Sequence, residues 1–265
     1  MKQQTAFDAY AEQYDASFTH TSIGRLQRAQ VWQALNPLLQ GTKAILEVNC
    51  GTGEDALQMA QLGHRVEATD ISENMIKVCQ AKAAKLKGVR ELHFQTASFL
   101  QLAEKFAPQS FDLLFSNFGG LNCIGPEDTQ TFSQIGHRLL KPGGKLFLVY
   151  ISKACVWERL YFSYQKEVEK AQRRSAEGPI ISRLEGHAVP IWYYSYKELV
   201  ALFREDFRVI QRFPIGLCVP PSYLEPLFKN REYFLKGLGW LDQGLRWPSL
   251  ANYGDHIGVV LERKD

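Results

Sequence analysis

No apolar run in this sequence approaches the ~20 residues that cross a bilayer. The N-terminus, Met1-Lys2-Gln3-Gln4-Thr5-Ala6-Phe7-Asp8, has no apolar h-region of the secretory kind. A cytoplasmic protein with no membrane partner is therefore expected. The cysteines Cys50, Cys79, Cys123, Cys155 and Cys218 are odd in number and include no CxxC pair. That excludes a disulfide frame and leaves no metal site to expect, so the thiols are read as reduced and mostly buried. An excess of one charge is also missing. With 31 basic and 28 acidic residues the net charge is only +3, which offers no electrostatic footprint for nucleic acid. There are no internal repeats or low-complexity tracts. What remains is a chain of 265 residues, 45% apolar, long enough to bury a substantial core.

The most informative segment is Ile45-Leu46-Glu47-Val48-Asn49-Cys50-Gly51-Thr52-Gly53-Glu54-Asp55-Ala56. An apolar strand ends at an acid, and a Gly-x-Gly turn then opens a helix. Glycine brings backbone close to a small polar ligand because it has no side chain to hold the ligand off. A second strand, Arg65-Val66-Glu67-Ala68-Thr69-Asp70, ends in an acid placed to accept from ribose hydroxyls. Together they predict a nucleoside-containing cofactor. Gly51 to Ala56 also fits the dinucleotide fingerprint, but Glu54 and Asp55 in the first helical turn would repel a pyrophosphate seated there. Strands are expected at 44–49, 65–69, 90–95, 111–116 and 144–151, alternating with helices at 54–62, 72–86 and 127–139. This alternation predicts an α/β fold, a doubly wound, mostly parallel sheet. Ligands bind beyond the carboxyl ends of such strands, where Gly51, Asp70, Ser98 and Asn117 fall.

Five stretches, in order across residues 44–150, resemble the landmarks of the class I S-adenosylmethionine-dependent methyltransferases. They are Glu47-Val48-Asn49-Cys50-Gly51-Thr52-Gly53, Asp70-Ile71-Ser72, His93 to Phe99, Phe111 to Gly119 and Leu139 to Val149 with its Lys141-Pro142-Gly143-Gly144 turn. Asn49 stands where the family carries its first glycine, and Asn is the mildest replacement where a left-handed backbone is needed. The resemblance implies a seven-stranded sheet and S-adenosylmethionine as cofactor. It implies Glu47 near the methionine amine and Asp70 on the ribose. Ile71 and Met75 would pack on the adenine face, Ala97 would offer its N–H to the ring, and Ser98 and Phe99 would flank it. Asn117 would close the site through its carbonyl, Phe118 would line the path to the methyl group, and Tyr14 would shield the cofactor. Arg25 and Arg28 are candidates for the cofactor carboxylate. No residue is assigned as general base; His20 and His187 are the histidines placed to face a substrate. The Asn-Pro-Pro-aromatic signature of nucleic-acid amino methylation is absent from Ser116-Asn117-Phe118-Gly119. The acceptor is therefore expected to be a small, partly apolar molecule, with nucleic-acid methylation or non-catalytic cofactor binding as the alternatives.

Around this core, residues 1–40 are expected as a helical lid, 41–152 as the cofactor core and 153–194 as a cap. That cap is read as one helix over 153–177 and a hairpin around Gly186. Residues 195–213 return to the core and 255–265 supply its last strand. Residues 214–254, dense in aromatics and proline, replace a short turn. They are expected to pack as one wall of an acceptor pocket or, alternatively, to form a homodimer surface.

Overall fold

The computed structural model describes residues 6–89, 91–184 and 186–265. The first five residues of the expected lid, and Arg90 at the start of the strand expected over 90–95, lie outside the described residues. Parallel strands β1 (Ala44–Val48), β2 (Arg65–Asp70), β3 (Leu92–Thr96), β4 (Phe111–Ser116) and β5 (Leu140–Ile151) build most of one sheet. After the β6–β7 hairpin (Ile180–Leu184, His187–Ile191), β8 (Phe207–Ile215) and β9 (His256–Arg263) complete it. The seven-stranded order is β3-β2-β1-β4-β5-β9-β8, with β9 antiparallel to both neighbours. Every residue of β1 is buried, as a central parallel strand covered on both faces requires.

Side-chain alternation sorts the core into two halves. Leu46, Val48, Leu146, Leu148 and Tyr150 face one side, packed on α6 (Pro126–Leu139) and α9 (Tyr196–Phe203). Ile45, Phe147 and Val149 face the other, toward α2 (Ser22–Leu35), α3 (Glu54–Gln61) and α4 (Glu73–Ala83). The remaining helices are α1 (Ala6–Tyr14), α5 (Leu102–Lys105), α7 (Val156–Tyr164), α8 (Val168–Gln172) and α10 (Glu232–Gly244). A π-helical turn, Asp15–Thr19, follows α1.

The single helix expected over 153–177 is overturned. The chain breaks at Lys166, which takes a left-handed φ of 61°, and doubles back as α8. The cause is long-range. Glu158 on α7 is buried and accepts from both Arg173 and Arg174, and Arg174 also reaches Asp255. A straight helix would leave that buried carboxylate without cations. The hairpin is where it was expected.

Register decides where the long insertion starts. Ile151 of β5 pairs with His256 of β9, and Ile215 of β8 pairs with the same His256. The connection from Ile215 to His256 therefore leaves and returns at the carboxyl edge of the parallel strands.

Candidate functional site

At that edge the turn after β1 passes through left-handed backbone at Asn49 (φ 59°), Gly51 (54°) and Gly53 (78°). Two glycines do different work here. A side chain on Gly53 would lie 2.9 Å from Cys79 Sγ and 3.0 Å from Phe94, so packing demands glycine. A side chain on Gly51 would meet only Tyr14, at 3.8 Å, so this backbone is open to a ligand. Asn49 donates from Nδ2 to Ser116 Oγ at 3.1 Å, and its side chain fits because Gly120 lies opposite; a Cβ on Gly120 would come within 2.5 Å of the Asn49 Cβ. The Gly119-Gly120 pair was the available sequence signal for that compensation.

Asp70 at the end of β2 is aimed by backbone. Its Oδ2 accepts from Gly51 N and its Oδ1 from Ser72 N, both at 2.9 Å. Each oxygen keeps lone pairs for a further donor. Burial raises its pKa, against those two N–H groups, to about 6. Glu47 is buried beside it. Burial, with Asp55 nearby, pushes its carboxyl well above the usual range, and its Oε2 has no hydrogen-bond partner among the described residues.

Asp55 in the first turn of α3 is the organiser. It pairs with Arg28 and accepts from Trp32 Nε1 at 2.7 Å and Asn117 Nδ2 at 2.9 Å. Arg28 therefore stands over the turn, as the sequence reading allowed, with its guanidinium carbon 5.0 Å from the Phe118 ring centroid. Its Nε has no partner among the described residues. Arg25, by contrast, is exposed. The ring of Phe118 packs on Phe18 at 4.9 Å and on His256 at 5.5 Å, and Phe18 continues to Tyr14 at 5.7 Å. Burial holds the Tyr14 phenol up at about 12, so it stays protonated.

The N-terminal segment lies closed over this turn. Asp8 accepts from Ser72 Oγ and Asn74 N, and Asp15 accepts from Thr52 Oγ1 at 2.6 Å and pairs with Lys82. Asp15, His20 and Glu54 bring three possible metal-ligand atoms within 4.8 Å of one another, but Lys82 already pairs with both acids. A cavity of about 20 Å³ remains, room for about one water. Tyr14, Glu47, Asn49, Gly51 and Asn117 all line it, with Arg28, Asp55 and Phe118. That space is far smaller than a nucleoside, and the segment from Asp8 to Phe18 covers it.

Several expectations need correction. The N–H of Ala97 donates to the Asp70 carbonyl at 2.9 Å, extending the β2–β3 ladder, and is not free for a ring. Ser98 and Gln101 form a capping box over the short helical turn at Phe99–Gln101, and the Phe99 ring packs edge-on against Phe132 of the core. Met75 is fully enclosed, whereas Ile71 is 54% exposed beside the site. Asn117 acts through its side chain, accepting from Phe118 N as well as donating to Asp55. His20 and His187 are exposed. The histidine whose ring does reach Phe118 is His256, read from sequence only as the start of the last strand. Burial keeps its pKa below the ordinary value, and its Nδ1 lies 3.4 Å from Asp255. No residue of 214–254 lines the cavity. The insertion packs instead on α2, where Ile23 meets Val219 and Leu235, Gln27 donates to the Pro220 carbonyl and Gln30 to Asp242.

Comparison with known proteins agrees with this geometry. Residues 45–144 match the family model described as a methyltransferase domain. A demethylmenaquinone methyltransferase from Clavibacter sepedonicus is 31% identical over 61% of this chain and 64% of its own length. A tRNA 5-carboxymethoxyuridine methyltransferase from Escherichia coli is 29% identical over 56% of this chain and 57% of its own. The chain spans about two-fifths to two-thirds of the length of the curated relatives it matches. Among solved structures, the CcbJ methyltransferase from Streptomyces caelestis is covered in full, as is this chain, at 17% identity and a TM-score of 0.65. A didemethyltoxoflavin methyltransferase from Burkholderia thailandensis, with its substrate and S-adenosylhomocysteine bound, shares the fold over 98% of this chain and 86% of its own (TM-score 0.60, 16% identity).

Proposed function

With a core that belongs to the class I S-adenosylmethionine-dependent methyltransferases, we propose that this protein transfers the cofactor's methyl group to a small, partly apolar acceptor. The observation that carries the reading is a pair of unmet polar atoms on one cavity. Among the described residues, Glu47 Oε2 is a buried acceptor without a donor, and Arg28 Nε is a buried donor without an acceptor; both residues line the cavity. Such orphans are costly unless a ligand meets them. An amino-acid tail presents the matching ammonium and carboxylate. The open backbone of Gly51 and the aimed carboxylate of Asp70 suit a ribose beside it.

The cofactor, when bound, supplies an electrophilic sulfonium methyl group. This chain's residues bind, orient and exclude water. Asp70 holds the ribose, Glu47 and Arg28 hold the tail, and Asn117, pinned by Asp55, sets the floor. Tyr14, Phe18 and Phe118 keep the methyl group in an apolar surround where an acceptor can be held in line. The demethylmenaquinone methyltransferase relatives support an apolar acceptor.

Calorimetry tests the cofactor. S-adenosylmethionine and S-adenosylhomocysteine are expected to bind and NAD is not; the reverse outcome overturns the reading. Incubation with methyl-labelled cofactor and either a small-molecule extract or total RNA tests the acceptor. Label in the small-molecule fraction is expected, and label confined to RNA rejects it.

The Asp70 pKa adds a pH dependence. The ionised carboxylate is the better ribose acceptor, and half of it is protonated at about pH 6. Affinity for S-adenosylhomocysteine is expected to be full above that pH and to fall below it, by up to about tenfold per pH unit. A flat calorimetric profile between pH 5 and 8 would show that Asp70 does not titrate in the empty site.

A further inference from the structure

The aromatic insertion does not pack as the sequence led one to expect. Tyr233 is 90% exposed, Trp240 73%, Trp247 62% and Phe234 55%. On α10, Tyr233, Gly237, Trp240, Leu241 and Gly244 recur at helical spacing on the face turned away from buried Leu235, Gly239 and Asp242. Phe234 stacks on Phe228, and Phe228 meets Trp157 of α7. The outer row of α7 is Val156, Leu160 and Tyr164, with Leu160 64% and Tyr164 86% exposed. Ring contacts through Phe228 thus link α10 to α7, and exposed apolar side chains in such number mark an interaction site.

We propose that this surface seats the protein on an anionic lipid bilayer, with α10 lying in the interfacial plane. Charge selects the occupant. Across residues 156–175 and 222–250 the exposed charged side chains are Arg159, Lys166, Lys170, Lys229, Arg231 and Lys236 against Glu167, Glu169 and Glu232, with Glu167 paired to Lys170. Six cations and three anions leave +3 on these two segments, as much as the whole chain carries. Exposed Trp and Tyr between aliphatic residues, rimmed by Lys and Arg, are the chemistry of the headgroup boundary. Two rival occupants fit less well. A second copy docked about a two-fold axis would set the basic rim against itself. Single-stranded nucleic acid would stack on the rings but gain nothing from Val156, Leu160 and Leu241. The absence of a spanning run argued against a membrane partner, yet α10, at 13 residues, needs only to lie on the surface.

The test is flotation of the full-length protein with vesicles of phosphatidylcholine alone or with one quarter phosphatidylglycerol. Partition onto the anionic vesicles is expected to exceed that onto neutral ones by about tenfold at 0.1 M NaCl and to shrink at 0.5 M. Tyr233→Ser with Trp240→Ser, and separately Lys229→Glu with Lys236→Glu, should each remove about tenfold of it. Both double variants should bind S-adenosylhomocysteine as the parent does, which shows that they fold and separates this inference from the methyltransferase reading. Three results would overturn it: no flotation, flotation untouched by the variants, or tighter binding to poly(U) than to anionic vesicles. A stable dimer in light scattering that Trp240→Ser dissolves would equally assign the surface to a second copy.

Discussion

Replacing Asp55 by alanine is expected to destabilise the protein by about 3–5 kcal/mol, the cost of stranding a buried charge. The carboxylate side chain is 4% exposed and its partner Arg28 13%. It also serves Trp32 Nε1 and Asn117 Nδ2, two further donors that would be left without an acceptor. Urea denaturation measures the loss. Asp55→Asn, which keeps an acceptor but no charge, should fall between parent and alanine. The double change Asp55→Leu with Arg28→Leu should recover part of the loss, because it removes both charges together. A loss under about 1 kcal/mol for Asp55→Ala would mean that solvent enters and screens the pair.

The second large effect is on affinity. Asp70→Ala is expected to weaken S-adenosylhomocysteine binding by roughly 2–4 kcal/mol, about thirty- to thousandfold. Two losses combine. The ribose loses its acceptor, and the N–H groups of Gly51 and Ser72 lose the carboxylate that fixes the turn. Asp70→Asn separates them, since an amide oxygen can keep one of those backbone donors while the charge is lost. Calorimetry on both variants, beside a denaturation curve for each, decides the matter. An unchanged dissociation constant with an intact fold would place the ribose elsewhere.

The contrast between these two acids shows what local pattern can convey. Asp70 was legible because it closes a strand in a βαβ unit, where topology alone places a carboxylate at the ligand edge. Asp55 was legible only as a first-turn acid unfavourable to pyrophosphate. Its partners lie far off in the chain, at Arg28, Trp32 and Asn117. Ala97 failed for a related reason: position in the sequence put it at the edge, but the β-ladder had claimed its N–H. In α2 the apolar stripe Leu26, Val31, Trp32, Leu35 was readable. Gln27 and Gln30 were not, since polar residues break a hydrophobic period even when both are buried and hydrogen-bonded to the insertion.

The sequence by itself determined the doubly wound, mostly parallel sheet and the edge where a nucleoside must bind. Those depend on short-range quantities: a two-residue period, a glycine turn, an acid at a strand end. Only the tertiary structure decided three other things. It laid the N-terminal segment over the Gly51 turn, leaving about 20 Å³, through contacts such as Asp8 to Ser72 and Asp15 to Lys82. It gave Arg28 to Asp55 while leaving its Nε without a partner among the described residues. It placed the insertion against α2 with Tyr233, Trp240 and Trp247 turned outward. Each outcome rests on pairings between residues distant in the chain, where burial of a charge or a ring depends on which surface arrives opposite it, and no local periodicity encodes that.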